Sequence, residues 1–336
     1  MKHFEFGKAA LALAFCNWAT APTGAWAESV VVPEPVHSTS GITFDGSDFL
    51  IVSDKAAGTL FRYTPSAAEL LNGHGPRIAS IKIARSRQEA IFGGALASDL
   101  EAVDRLANGE VVVLSEVLGA VLTRDRIIAR YPKSLAEVGG RGLEGLAIHH
   151  SAGIAALWEG GYPSPVDLPT RYPGTGEFNG GPFKPLVCVH LVPTDTDLKV
   201  CENGEGVVVL QVPEAPSSDQ AFRAPDLVWS ADGESFVVLL TSLNASTHAF
   251  KYKWLQKFSL LGLPIGPPLN LCEKGYLPGE LRSGPGGNVE GLGWYEVGSS
   301  VALINDTMLT ATAVVLSIDP WPETDRTVRC DLPFSS

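Results

Sequence analysis

Carboxylates recur at matched spacing along this chain. Glu101 stands 15 residues before Glu116, and Glu144 stands 15 before Glu159. The same interval separates Asp226 from Thr241 and Glu290 from Asn305, while Ser40 and Asp54 form a related pair one residue shorter. Each first member lies in a short box such as Leu143-Glu144-Gly145-Leu146 or Val289-Glu290-Gly291-Leu292, and each second member ends an apolar run. An odd interval is what a two-residue hairpin loop produces between directly paired residues. Asn108-Gly109, a strong hairpin signal, lies at the middle of the first pair. Carboxylates directly opposite one another repel, so a folded chain must place a cation, a proton or a basic group between them. Hard oxygen ligands in such number suit Ca²⁺, or Mg²⁺ with bound water, better than zinc. The expected ligand set is Asp54, Glu101, Glu116, Glu144, Asp226, Glu290 and Asn305. Glu144 and Glu159 are the candidates for proton transfer, Arg141 for stabilising developing negative charge, and Arg223 and His149 for contacting substrate. The plainer reading is that the acids are solvated, or are paired with Arg141, Arg223 and Arg282, each just upstream of a box.

The elements that position these residues are strands. Helical periodicity is scarce, with one short helix expected near residues 66–71. Short apolar runs bounded by Gly, Asn and Asp predict an all-β fold. The boxes begin at intervals of 61, 43, 82 and 64 residues, and the interval of 82 is about twice the smallest. A sixth unit is therefore expected between 160 and 225, with strands near 186–193 and 206–212. The prediction is a six-bladed β-propeller of four-stranded antiparallel blades. Segment 29–32 is expected to close the ring beside 313–318, which would remove an exposed edge.

Composition narrows the function classes. The chain has 336 residues and a formal net charge of −12, which disfavours a phosphate-rich nucleic-acid partner. Hydrophobic content of 45 % supports a packed core. Residues 1–27 have a basic start, a short apolar run and an Ala25-Trp26-Ala27 cleavage pattern, so a signal peptide and an exported, periplasmic or extracellular domain over 28–336 are expected. No later run is long enough to span a membrane. Four cysteines remain beyond the leader. Four cysteines allow three pairings, of which the expected one joins Cys188 with Cys201 and Cys272 with Cys330.

At the boxes the sequence resembles the phytase-like propeller family, described as having esterase-like activity of the phytase type. The matching stretches are Ser98-Asp99-Leu100-Glu101-Ala102-Val103, Ser115-Glu116, Gly142-Leu143-Glu144-Gly145-Leu146-Ala147 and Asn288-Val289-Glu290-Gly291-Leu292. The likeness runs from about 38 to 318. It implies a six-bladed propeller with calcium at the pore and hydrolysis of phosphoesters or esters. Motifs for serine hydrolases, zinc proteases and P-loops are absent from the sequence. The expectation is therefore a calcium-dependent hydrolase, monomeric, acting on a small phosphoester, carboxylic ester or lactone. The alternative is a non-catalytic propeller that binds a ligand or protein around a structural ion.

Overall fold

A computed structural model describes residues 30–32, 36–56, 58–83, 86–91, 99–132, 142–160, 171–172, 176–177, 184–192, 197–217, 221–243, 250–282, 287–308, 310–324 and 327–331. The expected leader at 1–27 and Arg141 lie outside these residues.

Runs such as Phe49–Ser53 and Val111–Ser115 become strands because both of their faces are buried. Each pairs with a box strand on one side and a further strand on the other. Among the described residues this arrangement is repeated five times. The innermost strands of the five blades are Thr39–Phe44, Leu100–Arg105, Leu143–His149, Ala221–Trp229 and Asn288–Glu296. Each neighbours the next and the fifth returns to the first, so the ring is closed. Five hydrophobic clusters fill the five spaces between adjacent blades. Trp158, fully buried between blades two and three, meets Tyr131 edge-on at 5.4 Å. Such burial is the dominant favourable term for folding.

The ring has five blades, not the six expected. Leu186–His190 and Val207–Val209 are the third and fourth strands of blade three, not a separate unit. The long interval between boxes is an insertion within one blade, and it carries the small hairpin of Arg171–Tyr172 with Gly176–Glu177. A doubled spacing is equally produced by a missing box and by a long loop, so spacing alone could not separate them.

Closure also differs from the expectation. Val30–Val32 pairs with Ser86–Ile91 at the outer edge of blade one. The strand that completes blade five beside Thr312–Ser317 is Arg77–Lys82. The chain leaves blade one after its third strand and passes through the helix Ala67–Leu70, which Ser66 and Glu69 cap reciprocally. It then lends 77–82 to blade five and returns. Ala79, Ile81 and Ile83 alternate into the buried space between blades five and one, which is what commits that segment.

Both expected disulfides form. Cys188–Cys201 ties blade three to the segment beyond it, and Cys272–Cys330 fastens the C-terminal tail to blade four. No helix among the described residues is long and apolar enough to cross a membrane.

Candidate functional site: the acidic mouth of the channel

The box acids are not paired with the acids 15 residues on. In blades two, three and five the register shifts at one residue, and that residue is Glu101, Glu144 or Glu290. Ser40 is its counterpart in blade one. A β-bulge leaves one residue without a cross-strand partner and re-aims its side chain. Glu116 lies opposite Asp99, and Glu159 lies opposite Gly142. The interval of 15 is the combined effect of a three-residue loop and a bulge rather than of a two-residue loop.

This register explains the departures. Blade one has a two-residue loop between Asp45 and Asp48, so its interval from Ser40 to Asp54 is 14. Blade five has a second bulge between Trp294 and Glu296, so its interval is 16 and the position equivalent to Glu116 is Asp306. Asn305, expected as a ligand, instead accepts from the Thr312 amide at 2.7 Å through Oδ1 and is buried.

Blade four breaks the pattern. Its bulge falls at Ala224 and Pro225, which places Asp226 one step deeper than the other box acids. Equivalent positions elsewhere are Gly41, Ala102, Gly145 and Gly291. A Cβ on Gly41 would lie 2.6 Å from Ala102 Cα, and one on Gly145 would lie 3.0 Å from Asp226 Cα. The glycine of the box therefore serves close approach of neighbouring inner strands around a narrow channel. At this level the Asp226 carboxylate accepts from the amides of Leu292 at 2.7 Å, Leu227 at 2.8 Å and Leu146 at 3.3 Å. Burial raises its pKa well above the ordinary value, against the opposing pull of these three amides. Asp226 is a strut joining blades three, four and five rather than a rim acid.

Above that floor the acids converge from four blades. Asp99, Glu101 and Glu116 bring ligand oxygens within 4.8 Å of one another. Asp99 and its blade-one counterpart Ser38 both have positive φ, 63° and 47°, a conformation that non-glycine residues keep only where the surroundings impose it. Gly142 leaves open the space the Glu116 carboxylate fills. Glu101 is only 7 % exposed and has no hydrogen-bond or ion-pair partner among the described residues. Burial, then the charges of Asp99, Glu290, Glu116 and Asp54, push its pKa well up. Glu144 is raised likewise by burial and by Glu101, Glu159 and Glu290. Burial and the adjacent Asp99 lift Glu116 to about 7, and burial with Glu290 lifts Asp306 to about 6. Asp54 is raised by burial despite its ion pair with the exposed Lys55.

Arg223 projects into the same mouth from blade four. It pairs with Glu159 of blade three, bonds Asn288 of blade five, and donates to Glu290 at 2.9 Å and to Thr241 at 3.1 Å. It is held protonated there: burial alone would lower its pKa, and Glu159 and Glu290 outweigh that. With its donors so engaged, Arg223 is the mouth's internal counter-charge rather than a free arm for substrate. Glu159, expected in proton transfer, is its ion-pair partner.

Two other expected residues are elsewhere. His149 is at the turn end of the strand that carries Glu144, five residues and roughly 16 Å away. There its Nδ1 lies 3.2 Å from the Ala152 amide and its Nε2 lies 3.2 Å from the Ala231 carbonyl, joining two hairpin turns. Arg282 donates to the carbonyls of Cys272 and Arg329 beside the disulfide.

Sequence reading also missed Lys253. It is fully buried, donates to the Arg282 carbonyl at 2.7 Å, and is lowered to about 7 by burial and by Arg282 and Arg223. The native state then holds fewer protons than the unfolded chain between about 7 and about 10.5, so this group makes stability rise with pH across that window. In Lys253→Met that rise should disappear. Melting temperatures from pH 6 to 10 should show the variant's gain over the parent largest at the acidic end. A gain that does not change with pH would contradict the assignment.

The fold and the site together define a five-bladed β-propeller with an acidic, bulge-built channel mouth. No family model matches the chain, and no curated protein matches it. Solved structures resemble it at low identity. A calcium structure of a Trichoderma reesei carbohydrate-active enzyme of family AA12 has 10 % identity and a TM-score of 0.40, covering 87 % of this chain and 96 % of that one. A luciferin-regenerating enzyme has 11 % identity and a TM-score of 0.38, covering 86 % and 95 %. Virginiamycin B lyase from Staphylococcus aureus has 7 % identity and a TM-score of 0.35, covering 86 % and 99 %. Likenesses at this level assign no activity.

Proposed function

We propose that the acidic mouth holds a divalent, oxygen-preferring cation, Ca²⁺ fitting best, and that the protein is an exported hydrolase of a small phosphoester, carboxylic ester or lactone. The observation that carries this is Glu101, a buried carboxylate without a partner among the described residues, set among further acids. An unpaired buried charge is strongly unfavourable, and converging carboxylates are the donor set that calcium takes. Asp99, Glu101 and Glu116 would hold the ion, with Asp54 and Glu144 at its border. A bound divalent cation polarises an acyl or phosphoryl oxygen and eases deprotonation of water. Glu144 has neither a hydrogen bond nor an ion pair among the described residues, and it is the carboxylate left to accept a proton. Arg223 balances Glu159 and Glu290, and Asp226 closes the floor, so substrate enters from the acidic side. The resemblance of the boxes to the phytase-like family agrees with this reading. The two disulfides, which persist in oxidising compartments, support export.

The test is hydrolysis of p-nitrophenyl phosphate, its diester, p-nitrophenyl acetate and a lactone with Ca²⁺ present. At least one should be turned over, and Glu144→Gln should lower kcat by about 10²–10⁴-fold while the calcium-induced thermal shift persists. Turnover that survives this substitution would remove Glu144 from the chemistry. A calcium shift without turnover of any substrate would favour the binding propeller.

A further inference from the structure

Blade four differs from the others at every level of the mouth. Where blades one, two, three and five present Asp54, Glu116, Glu159 and Asp306, it presents Thr241. Where blades two, three and five have a bulged glutamate, it has Ala224 and Pro225. At the position of Asp99 and Asn288 it has Arg223. An acidic ring has thus lost its acids in one blade and acquired a guanidinium, which reaches sideways to the carboxylates of both neighbours. The Arg223 guanidinium carbon lies over the Phe250 ring, 5.5 Å from its centroid, within reach of a cation–π interaction.

We propose that Arg223 is a built-in cation standing where a second divalent ion would otherwise bind, so that the mouth takes a single exchangeable divalent ion on the side of blades one and two. The inference rests on the cation reading above. The two halves of the mouth are chemically unlike. On the Arg223 side, Glu159 and Glu290 are paired with a buried arginine whose side chain is 12 % exposed. On the opposite side, Glu101 is buried without a partner and Asp54 Oδ1 is buried and unsatisfied. The cation paired there among the described residues is Lys55, whose side chain is 70 % exposed; it is ion-paired with Asp54 and feels the charges of Asp99 and Glu101 only at longer range. An arginine fork engaged by Thr241, Glu159, Asn288 and Glu290 is fixed in place, whereas an oxygen-ligated metal ion exchanges.

The test is the number of ions bound per chain, by calorimetric titration and equilibrium dialysis with Ca²⁺ alone. The protein should bind one. Arg223→Met should bind two, because Glu159 and Glu290 then need a new counter-ion. Arg223→Lys, which keeps a point charge, should bind one. Adding Glu159→Gln and Glu290→Gln to Arg223→Met should return the count to one. Two ions in the parent would overturn the inference while leaving the cation reading intact. None in the parent but one in Arg223→Met would overturn the cation reading and leave the role of Arg223 standing. Equal counts in parent and Arg223→Met would overturn it. So would failure of Arg223→Met to fold in saturating Ca²⁺ when Arg223→Lys folds, since the divalent ion must then be unable to replace the guanidinium.

Discussion

Metal-free protein should lose stability as the pH rises from about 5 to about 8, and saturating Ca²⁺ should remove or reverse that slope. Glu116 is raised to about 7 and Asp306 to about 6, each by burial first and by neighbouring carboxylates second. Glu101 and Glu144 are raised in the same direction, by burial first and neighbouring carboxylates second. A carboxyl raised on folding keeps protons that the unfolded chain has released. Its contribution is therefore complete below the unfolded value and is lost as the pH passes the folded one. Discounted for the exposed part of these groups, the loss should be about 1–3 kcal/mol, or several degrees in melting temperature. Calcium acts oppositely, because it binds the ionised acids and only in the folded ring. At a concentration about 100 times Kd it should restore about 2.7 kcal/mol. Thermal melts with chelator and with Ca²⁺, at each pH, measure both effects. A metal-free melting temperature that is flat or rising in this window, or a Ca²⁺-loaded one that a chelator leaves unchanged, would refute the account of the mouth.

The second large effect belongs to Asp226. Asp226→Ala should cost about 3–6 kcal/mol, because it strands buried amides that each carry a penalty of about 1–3 kcal/mol when unpaired. Those amides belong to Leu146, Leu227 and Leu292, on the inner strands of three consecutive blades. Asp226→Asn, which keeps one carbonyl acceptor, should recover part of the loss. Neither change should alter the number of calcium ions bound. Urea unfolding supplies the free energies, and an unchanged slope would show that the same transition is being compared. If Asp226→Ala were as stable as the parent but no longer bound calcium, Asp226 would be a ligand, as its place in the box had suggested.

That contrast marks how much was legible beforehand. The box-and-strand repeat, the strands themselves and the number of disulfides could be read from residue types, because alternation, turn residues and cysteine parity are local or countable properties, whereas which cysteines pair is settled by the fold. The gathering of Glu101, Glu116, Glu144 and Glu290 at one rim followed from the repeat. The detail of that rim did not. A single bulge changes which residue faces the channel, and it leaves no mark in the sequence beyond an interval that a different loop length also explains. Hence the constant interval points to Asn305 rather than Asp306, and groups Asp226 with acids one step above it.

The sequence by itself pointed to a ring of β-blades with its carboxylates collected at one end, and to two disulfides whose pairing it left open among three. The tertiary structure decided that the ring has five blades, that Arg77–Lys82 closes it, and that Arg223 faces the acids. The physical reason is range. Strand formation depends on neighbours a few residues away, whereas ring closure depends on which distant edge buries the alternating face of Ala79 and Ile81. Likewise, the charge state of Glu101 or Arg223 depends on carboxylates that only packing brings together from other blades.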